Sequence, residues 1–270
     1  MKKKSPTIQE MKEKKLPFKE VVKTLLKDFD KTAIHQVRLE MKKLKAALQL
    51  MGIVNKSFKA KKKYGLIRPF YKDLGAIRDI QIQQALFKES HQGLQASFKR
   101  KYTRLLKDEL TKRQNIAREH IDDKAIQSFK KVKKQIKKAL KDLSSNDFKT
   151  YFKTRIPKLK KTLRTFDFSD EKMHDMRKLI KEIKFNTPFK QKVAKKWLKK
   201  KDIHLSFLGN LQNLLGTWQD NVVLKEKLTQ QVELLTPTKG EATALIEFKA
   251  NIEVHNELIK NNIKKVLKMG

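Results

Sequence analysis

Residues 35–45 read HQVRLEMKKLK, and residues 174–184 read HDMRKLIKEIK. Both segments follow the pattern HxxRxxxKxxK, with apolar residues between the charged ones. On an α-helix, where successive residues are about 100° apart, the four patterned positions occupy an arc of about 80° on one face. The pattern therefore predicts two helices that each carry a row of one histidine and three cations. The first cation row is His35, Arg38, Lys42 and Lys45, and the second cation row is His174, Arg177, Lys181 and Lys184.

An apolar stripe lies beside each cation row. The stripe consists of Val37, Met41, Leu44 and Leu48 in the first copy, and of Met173, Met176, Ile180 and Ile183 in the second. A helix of this kind packs by its apolar stripe. We therefore expect each cation row to lie at the edge of a packed surface.

The composition indicates an all-α protein. The chain has 270 residues, of which 39% are hydrophobic, and only 8 are glycine and 6 proline. So little turn-forming material is unusual for a sheet protein, whereas the abundant Leu, Lys, Glu, Gln and Ala are good helix formers. The hydrophobic content also argues against disorder.

The charge indicates a polyanionic partner. The chain carries 66 basic and 29 acidic residues, a formal net charge of +37. Each phosphate that such a surface neutralises releases counterions, so nucleic acid, anionic membrane and inorganic polyphosphate all qualify. There is no cysteine, no secretory signal in the first twenty residues, and no apolar run of the about 18–20 residues that a membrane span needs. We expect a cytoplasmic protein without a membrane span.

A second shared motif reveals an internal duplication. Leu74–Asp79 reads LGAIRD and Leu215–Asp220 reads LGTWQD, about 40 residues after each HxxRxxxKxxK segment. The histidines of the two copies are 139 residues apart and the glycines 141. The sequence thus predicts one domain, residues 17–268, made of repeats at about 17–143 and 147–268, after a mobile basic tail at 1–16. Two pseudo-symmetric, four-helix-like bundles that flank a basic groove are the expected architecture.

Local signals predict where the helices begin and end. Ser144–Asn146 is a cluster of capping residues and the predicted boundary between the repeats. Gly52 is expected to end the first motif helix, and Pro69 and Pro157 are expected to bend or interrupt theirs. The aspartates that close the two LGxx(R/Q)D segments are expected either to orient a cation or to serve at a helix cap or junction.

With both motifs present twice, the chain resembles the CHAD family, the conserved histidine α-helical domain. The resemblance rests on HQVRLEMKKLKAALQLM with LGAIRD and on HDMRKLIKEIKF with LLGTWQD, and it covers about residues 18–268. It implies two helical bundles beside a basic cavity that binds inorganic polyphosphate, in proteins found near polyphosphate metabolism or granules. Glu182 and Gln219 depart from the basic residues usual at their positions, which predicts weaker anion binding by the second repeat.

The predicted polyphosphate-binding residues are the two cation rows and several neighbouring cations. Besides both rows they are Lys43, Lys72 and Arg78, with Arg100 and Arg104 as weaker candidates. Arginine offers a rigid fork for phosphate oxygens and lysine a mobile point charge. The two histidines either donate to phosphate or lock one helix against its neighbour, and both roles remain open.

Two other functions compete with polyphosphate binding. Non-specific nucleic-acid binding needs only charge, although 15 of the 21 aromatic residues are phenylalanines at helical spacing, which is typical of a core rather than of base stacking. A phosphohydrolase of phosphate polymers is a distant third, because the His174-Asp175 dipeptide has no counterpart at His35-Gln36 and no RHGxR segment is present. We expect no catalytic residue, metal, cofactor or protein partner, and a location in the cytoplasm, at polyphosphate granules if the family resemblance extends that far.

Overall fold

A computed structural model describes residues 18–90, 93–165 and 168–268. The tail predicted at residues 1–16 lies outside this range. All the regular structure in the described residues is helical, as the composition predicts. The helices are α1 (Phe18–Asp28), α2 (Lys31–Val54), α3 (Ala60–Ser90), α4 (Ala96–His120), α5 (Asp123–Asp142), α6 (Ser145–Arg164), α7 (Asp170–Asn186), α8 (Gln191–Lys199), α9 (Leu205–Val232) and α10 (Lys239–Lys268). Short 3₁₀ turns occupy Lys56–Phe58, Thr187–Lys190 and Glu233–Leu235.

Side-chain caps begin α2 and α6, and the cap of α6 lies where the sequence predicts. The Asp30 side chain accepts a hydrogen bond from the Ala33 amide at 2.8 Å, at the start of the first motif helix, α2. Ser144 and Asp147 form a reciprocal capping box at the start of α6. Such caps satisfy amide groups that have no partner within the helix.

The predicted helix interruptions at the two prolines are wrong, whereas a bend at either proline stays a prediction. Both α3 and α6 continue through their prolines, Pro69 and Pro157. Each proline lies on an exposed face, and the residues four positions earlier are exposed too, so water can satisfy the carbonyl group that proline leaves without a donor. Gly52 lies inside α2, which ends two residues later at Val54. A β-carbon at Gly52 would lie 3.6 Å from Cβ of Ala60, an ordinary van der Waals contact, so the packing of α2 against the start of α3 does not require glycine here.

The contacts divide the chain into two compact units. The first ends at Gln81 and resumes over Leu106–Asp142, and the second comprises Ile82–Leu105 and the chain from Leu143 onward. The division into repeats at 17–143 and 147–268 instead assigns residues 82–105 to the first half. That the two bundles are pseudo-symmetric and flank a groove stays a prediction.

The core of the first unit is built from α1, α2, α3 and α5, together with Ala117 near the end of α4. Val37, Met41, Leu44 and Leu48, the apolar stripe of the first motif helix, are all buried there. Ile67, Phe70, Leu74 and Ile77 supply the facing stripe of α3. The prediction that α2 packs by its apolar stripe is therefore confirmed.

The second unit has its own core and includes the segment 82–105. The Tyr102 hydroxyl donates to Gln231 at 3.0 Å, and Ser97 and Lys101 bind the buried Glu241 carboxylate at 2.6 and 3.0 Å. These bonds join α4 to the end of α9 and the start of α10. In the second motif helix, α7, all four stripe residues are buried, which confirms its predicted packing.

Candidate anion-binding sites

Arg38, in the first cation row, is held in a narrow space against α3. Its side chain is 12% exposed, and Nη2 lies 3.6 Å from Oδ1 of Asp79. A β-carbon built on Gly75 would lie 2.6 Å from Arg38 Nη1, closer than real contacts allow. Nη1 is buried and has no hydrogen-bond partner among the described residues. Because glycine stands at position 75, the guanidinium group can lie directly against the α3 backbone.

Two tyrosines of α3 line the row beside Arg38. The Arg38 guanidinium lies 5.7 Å from the ring centre of Tyr71, and Lys45 Nζ lies 5.3 Å from the same ring. Lys45 Nζ is also 5.5 Å from the ring centre of Tyr64. Cations are attracted to the faces of aromatic rings at these distances. Tyr71 therefore fixes two members of the first cation row near one another.

His35 lies among like charges. The imidazole is exposed at the start of the row. Partial burial, and then the positive charges of Arg78, Lys42 and Arg38, lower the pKa of His35 below its ordinary value of 6.5. The histidine and three of the predicted cations are thus close enough to influence one another, and an anion bound here would relieve their mutual repulsion.

The second cation row has a different environment. Nδ1 of His174 lies 2.5 Å from Oε1 of Gln219. Gln219 occupies the position that corresponds to Arg78, so the same two motif positions meet in each unit. Arg177, Lys181 and Lys184 are half-buried along α7, as Arg38, Lys42 and Lys45 are along α2. Here the histidine is held by a neutral amide instead of facing a cation.

The Glu182 carboxylate is buried within the second unit, whereas weaker anion binding by the second repeat stays a prediction. Glu182 is 6% exposed, and its Oε1 accepts hydrogen bonds from Arg155 Nε at 2.7 Å and from the Tyr151 hydroxyl at 3.1 Å. A buried carboxylate needs such partners to offset its desolvation. Its charge is therefore balanced inside the second unit.

Four of the other predicted binding residues are exposed, and two of these lie in the second unit. Lys43 is exposed and pairs with Glu40 at 3.0 Å, and Lys133 of α5 approaches the same carboxylate at 3.6 Å. Lys72 is exposed on α3. Arg100 and Arg104 are exposed on α4 and belong to the second unit, not to the unit that contains the first cation row.

Sequence reasoning missed two elements of the first site and left the role of a third, Asp79, open. The tyrosines at 64 and 71 were not separated from the general aromatic content, although both lie within eleven residues of Gly75 in the helix that carries LGAIRD. Gly75 and Gly216 both lie in the interior of a helix, so Asp79 is no helix cap, and its distance from Arg38 supports the cation-orienting role.

Within the residues that the structure describes, no group of three or more His, Asp or Glu side chains is arranged to hold a metal ion. Over the same residues, no helix is long and apolar enough to cross a membrane.

Together these features define an all-helical protein in which two corresponding helices each carry a histidine and three cations at the edge of a packed core. The CHAD domain family model matches residues 19–229, and the chain belongs to this family. Searches of curated proteins and of solved structures find no significant match.

Proposed function

We propose that this protein binds inorganic polyphosphate through the two HxxRxxxKxxK helices, without catalysis. The observation that carries the proposal is the first cation row. Arg38 is held against Gly75 with a buried, unsatisfied Nη1, while Lys42 and Arg78 lie close enough to His35 to lower its pKa. Like charges held together gain most from a ligand with many negative charges.

The shape of the row supports a flexible phosphate polymer. From His35 to Lys45 the helix rises about 15 Å, so the four side chains form a line along one helix face. A polymer with a charge on every unit can contact each of them in turn. Charge and position suffice for such binding, and no base-reading contact is required.

The aromatic residues give base stacking little support. Trp218 is 2% exposed, and the rings of Tyr64 and Tyr71 are approached by the cations of the row. Non-specific binding of single-stranded nucleic acid usually relies on exposed aromatic faces. Nucleic acid therefore enters the test as a competing ligand.

The test compares the affinities of the full chain for long-chain polyphosphate and for single- and double-stranded DNA of matched charge, at about 150 mM salt. The informative variant is Arg38→Ala/Arg177→Ala. The matched control is Lys137→Ala/Lys195→Ala, which removes the same charge from exposed positions on α5 and α8. Thermal unfolding of each variant confirms that it is folded.

We expect the arginine pair to weaken polyphosphate binding at least about a hundredfold, because each charge-assisted contact contributes about 1.5–3 kcal/mol. The control pair should weaken binding less than about threefold, as a long-range charge effect. Equal losses in the two pairs, or DNA binding as tight as polyphosphate binding, would contradict the proposal. Release of phosphate during incubation with polyphosphate and Mg²⁺ would contradict its non-catalytic part.

A cytoplasmic location, at polyphosphate granules, follows from the same proposal. Fluorescent fusions of the wild type and of the arginine pair test it in cells that form granules. The wild type should collect at granules and the arginine pair should spread through the cell.

A further inference from the structure

Helix α10 carries a second apolar stripe that the fold does not bury. Leu245, Phe248, Ile252, Ile259 and Ile263 form the inner stripe and are buried. On the outer side, Ile246, Val254 and Leu258 are 69%, 61% and 56% exposed. With the exposed Ala250 between them, they recur every four residues and form one continuous row. An exposed apolar row of this kind marks an interaction surface more often than scattered apolar residues do.

A groove adjoins this row along the same helix. It encloses about 590 Å³ and is formed by the start of α7 together with α9 and α10 of the second unit. Trp218, Val222 and the buried Asn256 contribute to its lining. Glu253 and Glu257, which directly precede Val254 and Leu258, also line it. The groove and the outer row therefore meet along one edge of α10.

The charge of this surface is opposite to that of the chain. Asp170 and Glu226 line the groove together with Glu253 and Glu257, against only two lysines, Lys225 and Lys260. Both lysines are already paired, Lys225 with Glu253 and Lys260 with Glu257 at 2.8 Å. A third exposed glutamate of α10, Glu247, directly follows Ile246 in the outer row. Lys264 lies near Glu257 as a third cation, yet carboxylates still outnumber lysines along this groove, in a protein with more than twice as many basic as acidic residues.

We propose that this face of the second unit docks a basic amphipathic helix of another protein. Apolar side chains of the partner, spaced three or four residues apart, would cover Ile246, Val254 and Leu258. Flanking lysines or arginines of the partner would reach Asp170 and Glu226 in the groove. Helix-on-helix docking of this kind is a common mode of peptide recognition. The family match ends at residue 229, before α10, and none of the residues that line the groove belongs to a cation row.

Two other occupants fit less well. In a symmetric contact between two copies the same surface faces itself, so glutamates of one copy would approach those of the other. The three exposed side chains are also few for the about 800 Å² per partner that a stable dimer buries. An anionic membrane would be repelled by the carboxylates along the row. A basic partner satisfies both the charge and the size of the surface.

The probe is a labelled helical peptide of about 18 residues, made of leucine and lysine with all leucines on one face. Its binding to the full chain is followed by fluorescence anisotropy at about 150 mM salt, where distant lysines are screened. Two further peptides serve for comparison: one has glutamate in place of lysine, and the other has the same composition with its leucines scattered around the helix.

Two pairs of substitutions in the protein test the site. Val254→Ser/Leu258→Ser removes the apolar row, and Asp170→Asn/Glu226→Gln removes charge from the groove. The controls are Leu234→Ser, an exposed apolar residue outside the row, and Glu119→Gln/Asp142→Asn in the first unit.

We expect each test pair to weaken the binding of the amphipathic peptide at least about tenfold and each control to change it less than about twofold. The scattered and the acidic peptides should bind at least about tenfold more weakly than the amphipathic one to the wild type. Equal affinity in the wild type and both test pairs would overturn the proposal, as would tight binding of the acidic peptide. A further contrary result would come from sedimentation equilibrium, if the wild type is a dimer and Val254→Ser/Leu258→Ser is a monomer. Wild-type binding to phosphatidylglycerol vesicles that the same variant loses would overturn the proposal in favour of a membrane surface.

Discussion

Substituting Gly75 by alanine should raise the stability of the protein and lower its affinity for polyphosphate. The new Cβ would lie 2.6 Å from Nη1 and 3.7 Å from Cζ of Arg38. Arg38 is a long side chain and can move away, so the backbone of α3 need not shift. Because alanine is the better helix former, the free energy of unfolding should rise by about 0.5–1 kcal/mol.

The loss of affinity follows from the displaced guanidinium. One charge-assisted hydrogen bond is worth about 1.5–3 kcal/mol, so losing the Arg38 contact should weaken polyphosphate binding at least about tenfold. The matched control is Gly216→Ala at the corresponding position of α9, where a new Cβ has nothing within 4 Å. It should gain similar stability and keep its affinity. The assays are urea unfolding and fluorescence titration with polyphosphate.

Two results would refute this reasoning. Unchanged affinity in Gly75→Ala would mean that the placement of Arg38 against α3 does not matter for binding. An equal affinity loss in Gly216→Ala would mean that both substitutions act through the helix and not through Arg38.

Three further predictions concern individual residues. Bound phosphate would offset the positive charges that help to lower the pKa of His35, so binding should be accompanied by the uptake of a proton. The affinity for polyphosphate should therefore rise as the pH falls from the pKa of His35 in the complex to its lower pKa in the free protein. His35→Gln should flatten this part of the pH titration, and an unchanged slope would contradict the prediction. Glu182→Gln should lower the free energy of unfolding of the second unit by about 3–5 kcal/mol in urea, because it leaves Arg155 without its charged, buried partner. The affinity of the folded variant for polyphosphate should stay within about twofold of the wild type. A large loss of affinity in the folded variant would instead assign Glu182 to the binding site. Tyr71→Phe should keep the affinity and Tyr71→Leu should lower it about three- to fivefold, because Tyr71 attracts Arg38 and Lys45 through its ring and not through its hydroxyl group. Equal losses in the two variants would point to the hydroxyl group.

The sequence predicts the all-α class, most of the helices and the packing of both motif helices, because these depend on local patterns. Capping residues such as Asp30 and Ser144 act on backbone groups a few residues away, so their effect can be read from nearby positions. Buried stripes recur with the helical period, which makes both motif helices visible without a structure.

Features that depend on distant contacts could not be predicted. Pro69 signals a break, yet packing of the adjacent Ile67 and Phe70 in the core favours a continuous helix. Glu182 can be buried because Arg155, which lies 27 residues earlier in the chain, pairs with its carboxylate. Nothing local shows that Gly75 makes room for Arg38.

The central claim, that the two cation rows form the polyphosphate contacts, is tested most directly by lysine protection. The full chain is acetylated briefly with and without long-chain polyphosphate, and the modification of each lysine is measured by mass spectrometry. Lys42, Lys45, Lys181 and Lys184 should become protected, while the exposed Lys137 and Lys195 should react as in the free protein. Equal protection of all six lysines, or protection of the two exposed ones alone, would contradict the account.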